Sequence, residues 1–373
     1  MINRTKIAWS EPYIGEKDFF ALKSCFETKW ISQGIKVQEF EKRVALCAGR
    51  KFCVAVNSGT SALICSLIAL GVGPESEVII PAMSFIALPH AIHLAGAVPV
   101  LADIDKKTGI ITSETVRPCI TEKTKAVIGI DYSGHTNDFS DLYDLCRQKE
   151  ISFIADAASS FLATNNGIPA GSIGDAAIFS FHSAKPITTG EGGAIVTNNQ
   201  EMYRAMQEIR NHGEIDGYKY VYHRLGCNFR MTDIAAALGI SQIENSDFIV
   251  KKRGHVIKKY LESQILREHA YICFTDPAYV SNGFSFTVLI NNRDTIQQSL
   301  HESGIETRSM WPLCVHEQPI YKKLKVKITG DCIGARSFSR TCLSLPVHCS
   351  LDDDAIEFIK EKFEEQIAQH EPA

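Results

Sequence analysis

Three short stretches of this chain carry side chains whose order suits one piece of chemistry. Lys185 lies in FSFHSAKPITTGEGG, residues 179 to 193, after the apolar run AAIFSF and before a turn of small residues. An amine taken out of water into an apolar pocket loses part of its preference for the ammonium form and becomes available for Schiff-base formation. Asp156, in FIADAASS and 29 positions earlier, stands where another apolar run ends. A carboxylate there would hydrogen-bond a protonated heterocyclic nitrogen and hold it charged. NSGTSAL, 57 to 63, sets Ser-Gly-Thr-Ser between an apolar run and a helical stretch, offering N–H groups and hydroxyls to a phosphate. Singly, each has an ordinary explanation: a surface lysine with its stem on the core, a helix cap at Asp156, a cap at Ser58 or Thr60. Together and in this order they supply one anchor for each end of pyridoxal 5'-phosphate (PLP) and one for its aldehyde.

Such residues need elements that end at a common edge. Short apolar runs predict strands at Cys53 to Val56, Val78 to Ile80, Val98 to Leu101, Lys125 to Ile130, Ile151 to Ala155, Ala176 to Ser180 and Ala194 to Thr197. Helical patterns fall between several of them, at Ser61 to Leu70, about Phe85 to Ala95, and Asp138 to Lys149. Alternating strands and helices imply an α/β domain with a mostly parallel sheet over about residues 40 to 245, and ligands of such sheets collect beyond the carboxyl ends of the strands. From about residue 246 the texture changes to a helix (Lys251 to Glu268), an alternating strand (Phe284 to Ile290), a helix (Thr295 to Ser303) and a closing helix after Leu351. The expected division is a large domain over 1–245, with an N-terminal segment 1–40, and a small α+β domain over 246–373; a prior of roughly 150 residues per domain agrees with two.

The 373 residues are 45% apolar and 22% charged with a formal charge of -4, which gives no basic excess for nucleic acid and points to small-molecule partners. The 12 cysteines are scattered without a CxxC pair, so no metal site is expected and the thiols are read as reduced and buried, in a cytoplasm. The stretch MINRTKIAWSEPYIG has no apolar h-region, so no secretory signal is expected. VIIPAMSFIALPHAIHLAGAVPVL, 78 to 101, is uncharged and long enough to span a bilayer, but Pro81, Pro89, Pro99 and two histidines favour strand, helix, strand, and no membrane association is expected.

These motifs, with WISQGIKVQEFE at 30 to 41, PAMSFIA, DID at 103, DYSGH, RNHG at 210, LGCNFRMTDIAAALGISQI at 225 to 243, VHEQPIY at 315 to 321 and LSLPVH at 343 to 348, resemble the DegT/DnrJ/EryC1/StrS family of PLP-dependent sugar aminotransferases along nearly the whole chain. The resemblance implies the aspartate-aminotransferase-like fold, fold type I. It implies Lys185 as the Schiff-base lysine, Asp156 as the partner of the pyridinium nitrogen, and Gly59, Thr60 and Ser180 as phosphate-binding positions. Phe85 matches the ring that stacks on the cofactor. Asn228 matches a residue that reaches the phosphate in the neighbouring subunit, which implies a homodimer with a shared site. Ser159 stands where the family usually has His or Gln against the ring hydroxyl. His316 and Arg230 match segments near the sugar nucleotide. The implied reaction moves an amino group, with glutamate as donor, to a keto group, at C4, of a nucleotide-linked keto-deoxy sugar in surface-polysaccharide or other amino-sugar biosynthesis. UDP-linked 4-keto-6-deoxy sugars are the nearest match. A sugar dehydratase, in which histidine replaces the lysine, and a PLP-binding regulatory protein, a type that normally adds a DNA-binding domain, are the alternatives. Retention of Lys185 favours amination. His182 fits the FSFH pattern common among the aminotransferases, but the chemistry read from the residues gives it no role.

Overall fold

The computed structural model describes residues 6–214, 219–273 and 278–370. Seven strands form the body of the large sheet: β1 Phe52–Val56, β2 Glu77–Pro81, β3 Val98–Ala102, β4 Thr124–Ile130, β5 Ser152–Asp156, β6 Ala176–Ser180 and β7 Gly193–Thr197. They stand in the order β1-β7-β6-β5-β4-β2-β3, and the short strand Lys327–Ile328 adds in parallel at the β3 edge. The strands are buried almost end to end, as expected for a sheet covered on both faces. All pair in parallel except β7, which runs antiparallel to both β1 and β6. A parallel neighbour needs a crossover helix, and the 181–192 stretch contains none, so the chain turns back directly.

The helices that cover the sheet include α1 Glu16–Thr28, α2 Ile35–Cys47, α3 Gly59–Ala69, α4 Ala87–Leu94, α5 Ser140–Gln148, α6 Gln200–Arg210 and α7 Asp233–Glu244. Neither α1 nor α2 is marked by a pattern we read in the sequence; both pack on α7. Buried Asp233, in the first turn of α7, accepts hydrogen bonds from the backbone N–H groups of Gly34, Lys36 and Val37. Its charge therefore satisfies the orphan donors that open α2, and a residue about 200 positions away fixes where that helix begins. The uncharged 78–101 stretch is β2, α4 and β3, with Gly96 at φ 84 just past the helix. Among the described residues no helix is long and apolar enough to cross a membrane.

A second apolar cluster joins Val256, Tyr260, Phe286, Val288, Leu343, Leu345, Ile356 and Phe363. It lies among an antiparallel sheet (Tyr271–Ile272, Phe286–Leu289, Cys342–Leu345), helix Ser246–Leu261 and helix Asp353–His370. Ile7 joins this cluster, whereas Cys314, Val315, Tyr321 and Phe338 return to the first core. The helix expected over Lys251 to Glu268 is two, Ser246–Leu261 and Gln264–His269; the Ser263 hydroxyl caps the second by accepting from the Leu266 N–H at 3.1 Å. All 12 cysteines are free, nine of them buried.

Candidate active site

Parallel pairing of β5 with β6 and with β4 brings their carboxyl ends to one edge, and that edge receives the residues singled out above. Asp156 is the last residue of β5 and 5% exposed. Its carboxylate accepts the Ala158 N–H at 3.0 Å, while its carbonyl accepts the Asp131 N–H at 2.9 Å. Burial raises its pKa to about 6, with the Ala158 N–H and the Lys185 ammonium pulling the other way. Lys185 follows β6 in a turn closed by its own N–H to the His182 carbonyl at 2.8 Å. Burial lowers its pKa to about 8, and the charge of Asp156 opposes that fall. Burial thus displaces the proton affinity of each group toward neutrality, and the opposite charge of the other limits that displacement.

Beside this pair, β1 ends in the turn that opens α3. Ser58 caps the helix, its hydroxyl accepting from the Ser61 N–H at 3.1 Å, and Asn57 accepts from the Ser61 hydroxyl at 2.6 Å. Thr60 takes no part in the cap, so its hydroxyl and the first-turn N–H groups of Gly59 and Thr60 remain for a ligand. Val56, Gly193 and Ser180 stand at one level across β1, β7 and β6. A Cβ on Gly59 would come within 3.0 Å of Ser180 Cβ and 3.3 Å of its Oγ; a Cβ on Gly193 would come within 2.4 Å of the Ser58 carbonyl oxygen. Two glycines therefore keep open a cradle floored by a serine and headed by a helix N-terminus, the geometry of an anion site.

A family model matches residues 12–364 of this chain, that of the DegT/DnrJ/EryC1/StrS aminotransferase family. The chain belongs to that family. It is 34% identical over 355 residues to the GDP-perosamine synthase of Caulobacter vibrioides, covering 92% of each chain. It is 30% identical over 368 residues to the UDP-4-amino-4,6-dideoxy-N-acetyl-beta-L-altrosamine transaminase of Helicobacter pylori, covering 95% of this chain and 96% of that one. The PLP form of Spr1654 from Streptococcus pneumoniae superposes with a TM-score of 0.90 at 28% identity, over 97% of this chain and 99% of the other.

The remaining family-matched positions lie as follows. Phe85, between β2 and α4, is 53% exposed. The turn Val315–Glu317 is tied to the same strand end, because the Val315 N–H donates to the Ala82 carbonyl at 2.8 Å. His316 in that turn lies with Nε2 3.3 Å from Arg336 Nη2, and its buried Nδ1 has no partner among the described residues. Arg230 pairs by its backbone with Val56 and donates Nη1 to Asn211 Oδ1 at 2.5 Å, so it flanks the NSGT turn. Asn228 is exposed, and its carbonyl accepts from Asn57 Nδ2 at 3.4 Å. The Ser159 hydroxyl donates to the Asp131 carbonyl at 2.8 Å, which leaves it to meet a ligand as an acceptor.

The structure also explains what the motifs did not. His182 Nδ1 accepts the Ala184 N–H at 3.2 Å and its Nε2 lies 3.7 Å from Glu191, so the imidazole braces the turn that presents the lysine. Ser10 donates to the Ala184 carbonyl at 2.9 Å, and Phe284 lies against the lysine's amine. Ser10, Asn282 and Phe284 were not read from the sequence; a Ser-Asn-Gly-Phe turn ahead of an alternating strand is the sole local sign of the last two.

Proposed function

We propose that this member of the family is a PLP-dependent aminotransferase that moves an amino group from glutamate to the C4 keto group of a nucleotide-linked keto-deoxy sugar. The observation that carries the reading is the Asp156 and Lys185 pair at the sheet edge, beside a helix N-terminus kept open by Gly59 and Gly193. The residues fit the cofactor. The N–H groups of Gly59 and Thr60 with the hydroxyls of Thr60 and Ser180 suit its phosphate, and buried Asp156 offers a carboxylate with one backbone donor already in place.

When bound, the cofactor supplies an aldehyde that condenses with amines and a ring that withdraws electrons. Asp156 holds a proton on the ring nitrogen by hydrogen bond and charge. Lys185 Nζ, poised near neutrality, takes the proton from the donor's α-carbon and returns it on the other side of the exchange. Phe85 covers one face of the ring, and Ser159 accepts from the ring hydroxyl. His316 and Arg230 orient the sugar nucleotide, and Asn228 reaches the cofactor phosphate of a second copy in a homodimer. The same reading places the protein in the cytoplasm and divides it after residue 245, a division supported by the separate cluster around Val256 and Phe363.

The test is incubation of the PLP- and glutamate-loaded protein with a panel of nucleotide keto-sugars, with products read by mass. Gain of nitrogen at C4 is expected; loss of water from the sugar instead would overturn the assignment. Lys185→Ala should abolish turnover and still retain PLP non-covalently.

A further inference from the structure

Lys185 Nζ lies over the face of the Phe284 ring, 4.2 Å from its centroid. Phe284 is 4% exposed and comes from the turn before the Phe286–Leu289 strand, 99 positions after the lysine. Its place is set on several sides. The ring meets Trp9 edge to face, with centroids 5.5 Å apart and planes at 88°. The Phe284 N–H donates to Asn282 Oδ1 at 2.9 Å, while Asn282 Nδ2 donates to the carbonyls of Ser159 and Phe161, each at 2.9 Å. Asn282, 1% exposed, therefore ties this turn to the backbone that leaves Asp156. Gly134 in DYSGH closes the arrangement: at φ +82, a Cβ there would stand 2.5 Å from Asn282 Oδ1 and 2.8 Å from Phe284 Cβ.

We propose that Phe284 is a positioning residue for Lys185, its ring face stabilising the ammonium form and thereby setting the pH at which the amine becomes free. An aromatic face attracts a cation within about 6 Å of its centroid, and more strongly where water is excluded. Several charged groups surround the pair, among them buried Arg253, whose Nη1 donates to the Gly283 carbonyl beside Phe284 at 3.1 Å. Asp156 acts on Lys185 directly, and Asp131 lies beside Asp156. His182 turns to Glu191, and Arg308, 5.9 Å from the Trp9 ring, pairs with Glu306. In the function proposed above Asp156 is engaged by the ring nitrogen, which leaves Phe284 as the partner that meets Lys185 when it takes up a proton. That consequence for turnover rests on the proposed function; the acid–base behaviour of Lys185 does not, and is read in the cofactor-free protein.

The experiment is competitive acetylation of Lys185 against pH, followed by mass spectrometry of its peptide, in the full cofactor-free chain. Pentafluorophenylalanine at position 284 keeps the shape and reverses the charge of the ring face, and Phe284→Leu removes the face. In both, the labelling midpoint should fall by about one pH unit, so that labelling well below the midpoint rises about tenfold. Phe284→Tyr should keep the midpoint. A pentafluorophenylalanine protein whose midpoint stays in place overturns the proposal, whether or not the leucine variant folds. Failure of Lys185→Ala to lose turnover would instead overturn the function and leave this result standing.

Discussion

Glu41 and Arg210 form an ion pair behind the NSGT turn, 2.5 Å between Oε1 and Nη1, with both residues buried. The pair clamps Ala55 of β1, whose N–H donates to Glu41 Oε1 at 2.9 Å and whose carbonyl accepts from the same Arg210 Nη1 at 2.9 Å. Because β1 is the outermost strand on its side of the sheet, these are edge groups with no strand to pair them. Glu41→Ala leaves a buried guanidinium uncompensated and should cost about 3–5 kcal/mol, measured as a lower urea midpoint at unchanged slope. Adding Arg210→Met should recover part of that loss, since the isolated charge goes with it.

Gly59→Ala tests the cradle. Gly59 opens a helix with no backbone need for glycine, so only space is at issue: the new Cβ meets Ser180 at 3.0 Å. The variant should lose up to about 1–3 kcal/mol of stability by overpacking and, with Ser180 pushed aside, bind PLP more weakly by equilibrium dialysis. Gly193→Ala, aimed at the Ser58 carbonyl at 2.4 Å, should lose thermal stability as well.

Asp156→Ala should lower kcat by about 10²-fold or more, whereas Ser159→Ala should cost less than about tenfold, because a hydroxyl already committed to the Asp131 carbonyl adds only one acceptor. Steady-state kinetics with glutamate and an accepted keto-sugar compares them directly. Equal losses would contradict the roles given to these residues.

The two buried carboxyls and the lysine impose a pH dependence on the cofactor-free protein. Asp131 is raised to about 7 and Asp156 to about 6, chiefly by burial, from an ordinary value of 3.8. Between about pH 4 and 7 the folded chain then binds more protons at these sites than the unfolded chain, so stability falls as pH rises through that window. Lys185, lowered from 10.5 to about 8, acts in the opposite sense and restores stability between those values. Urea midpoints of the apoprotein should therefore pass through a minimum between about pH 7 and 8 for these groups. Asp131→Asn should flatten the acid limb, and an unchanged slope there would refute the account.

Lys185, Asp156 and the NSGT turn were legible because each lies at the carboxyl end of a strand or within a few residues of it, so a local pattern fixed both the element and the edge at which it ends. The sequence could not state the direction of β7, since a fully buried run looks alike in either orientation. The helix start at Ile35 was equally hidden, its capping carboxylate being supplied by Asp233. Ser10, Asn282 and Phe284 reach the lysine's surroundings through contacts made across as many as 174 positions and share no spacing rule with the residues they touch. His182 was visible as a motif, but its work is a hydrogen bond to the second residue after it, which no chemistry of the cofactor would suggest.

The reversal of β7 has a kinetic consequence. Gly193 is the first residue of its strand, yet it lies level with the last residues of β1 and β6, so the cradle is assembled from one strand beginning between two strands ending. Among the described residues β7 is also the sole bridge between β1 and the rest of the sheet. A collapsed chain in which β7 has not yet threaded its slot has no place for a phosphate, however much of the parallel sheet it has built. Capture of PLP during refolding, followed as the change in its absorption on binding, should thus time the last closure of the sheet and serve as a clock for that one event.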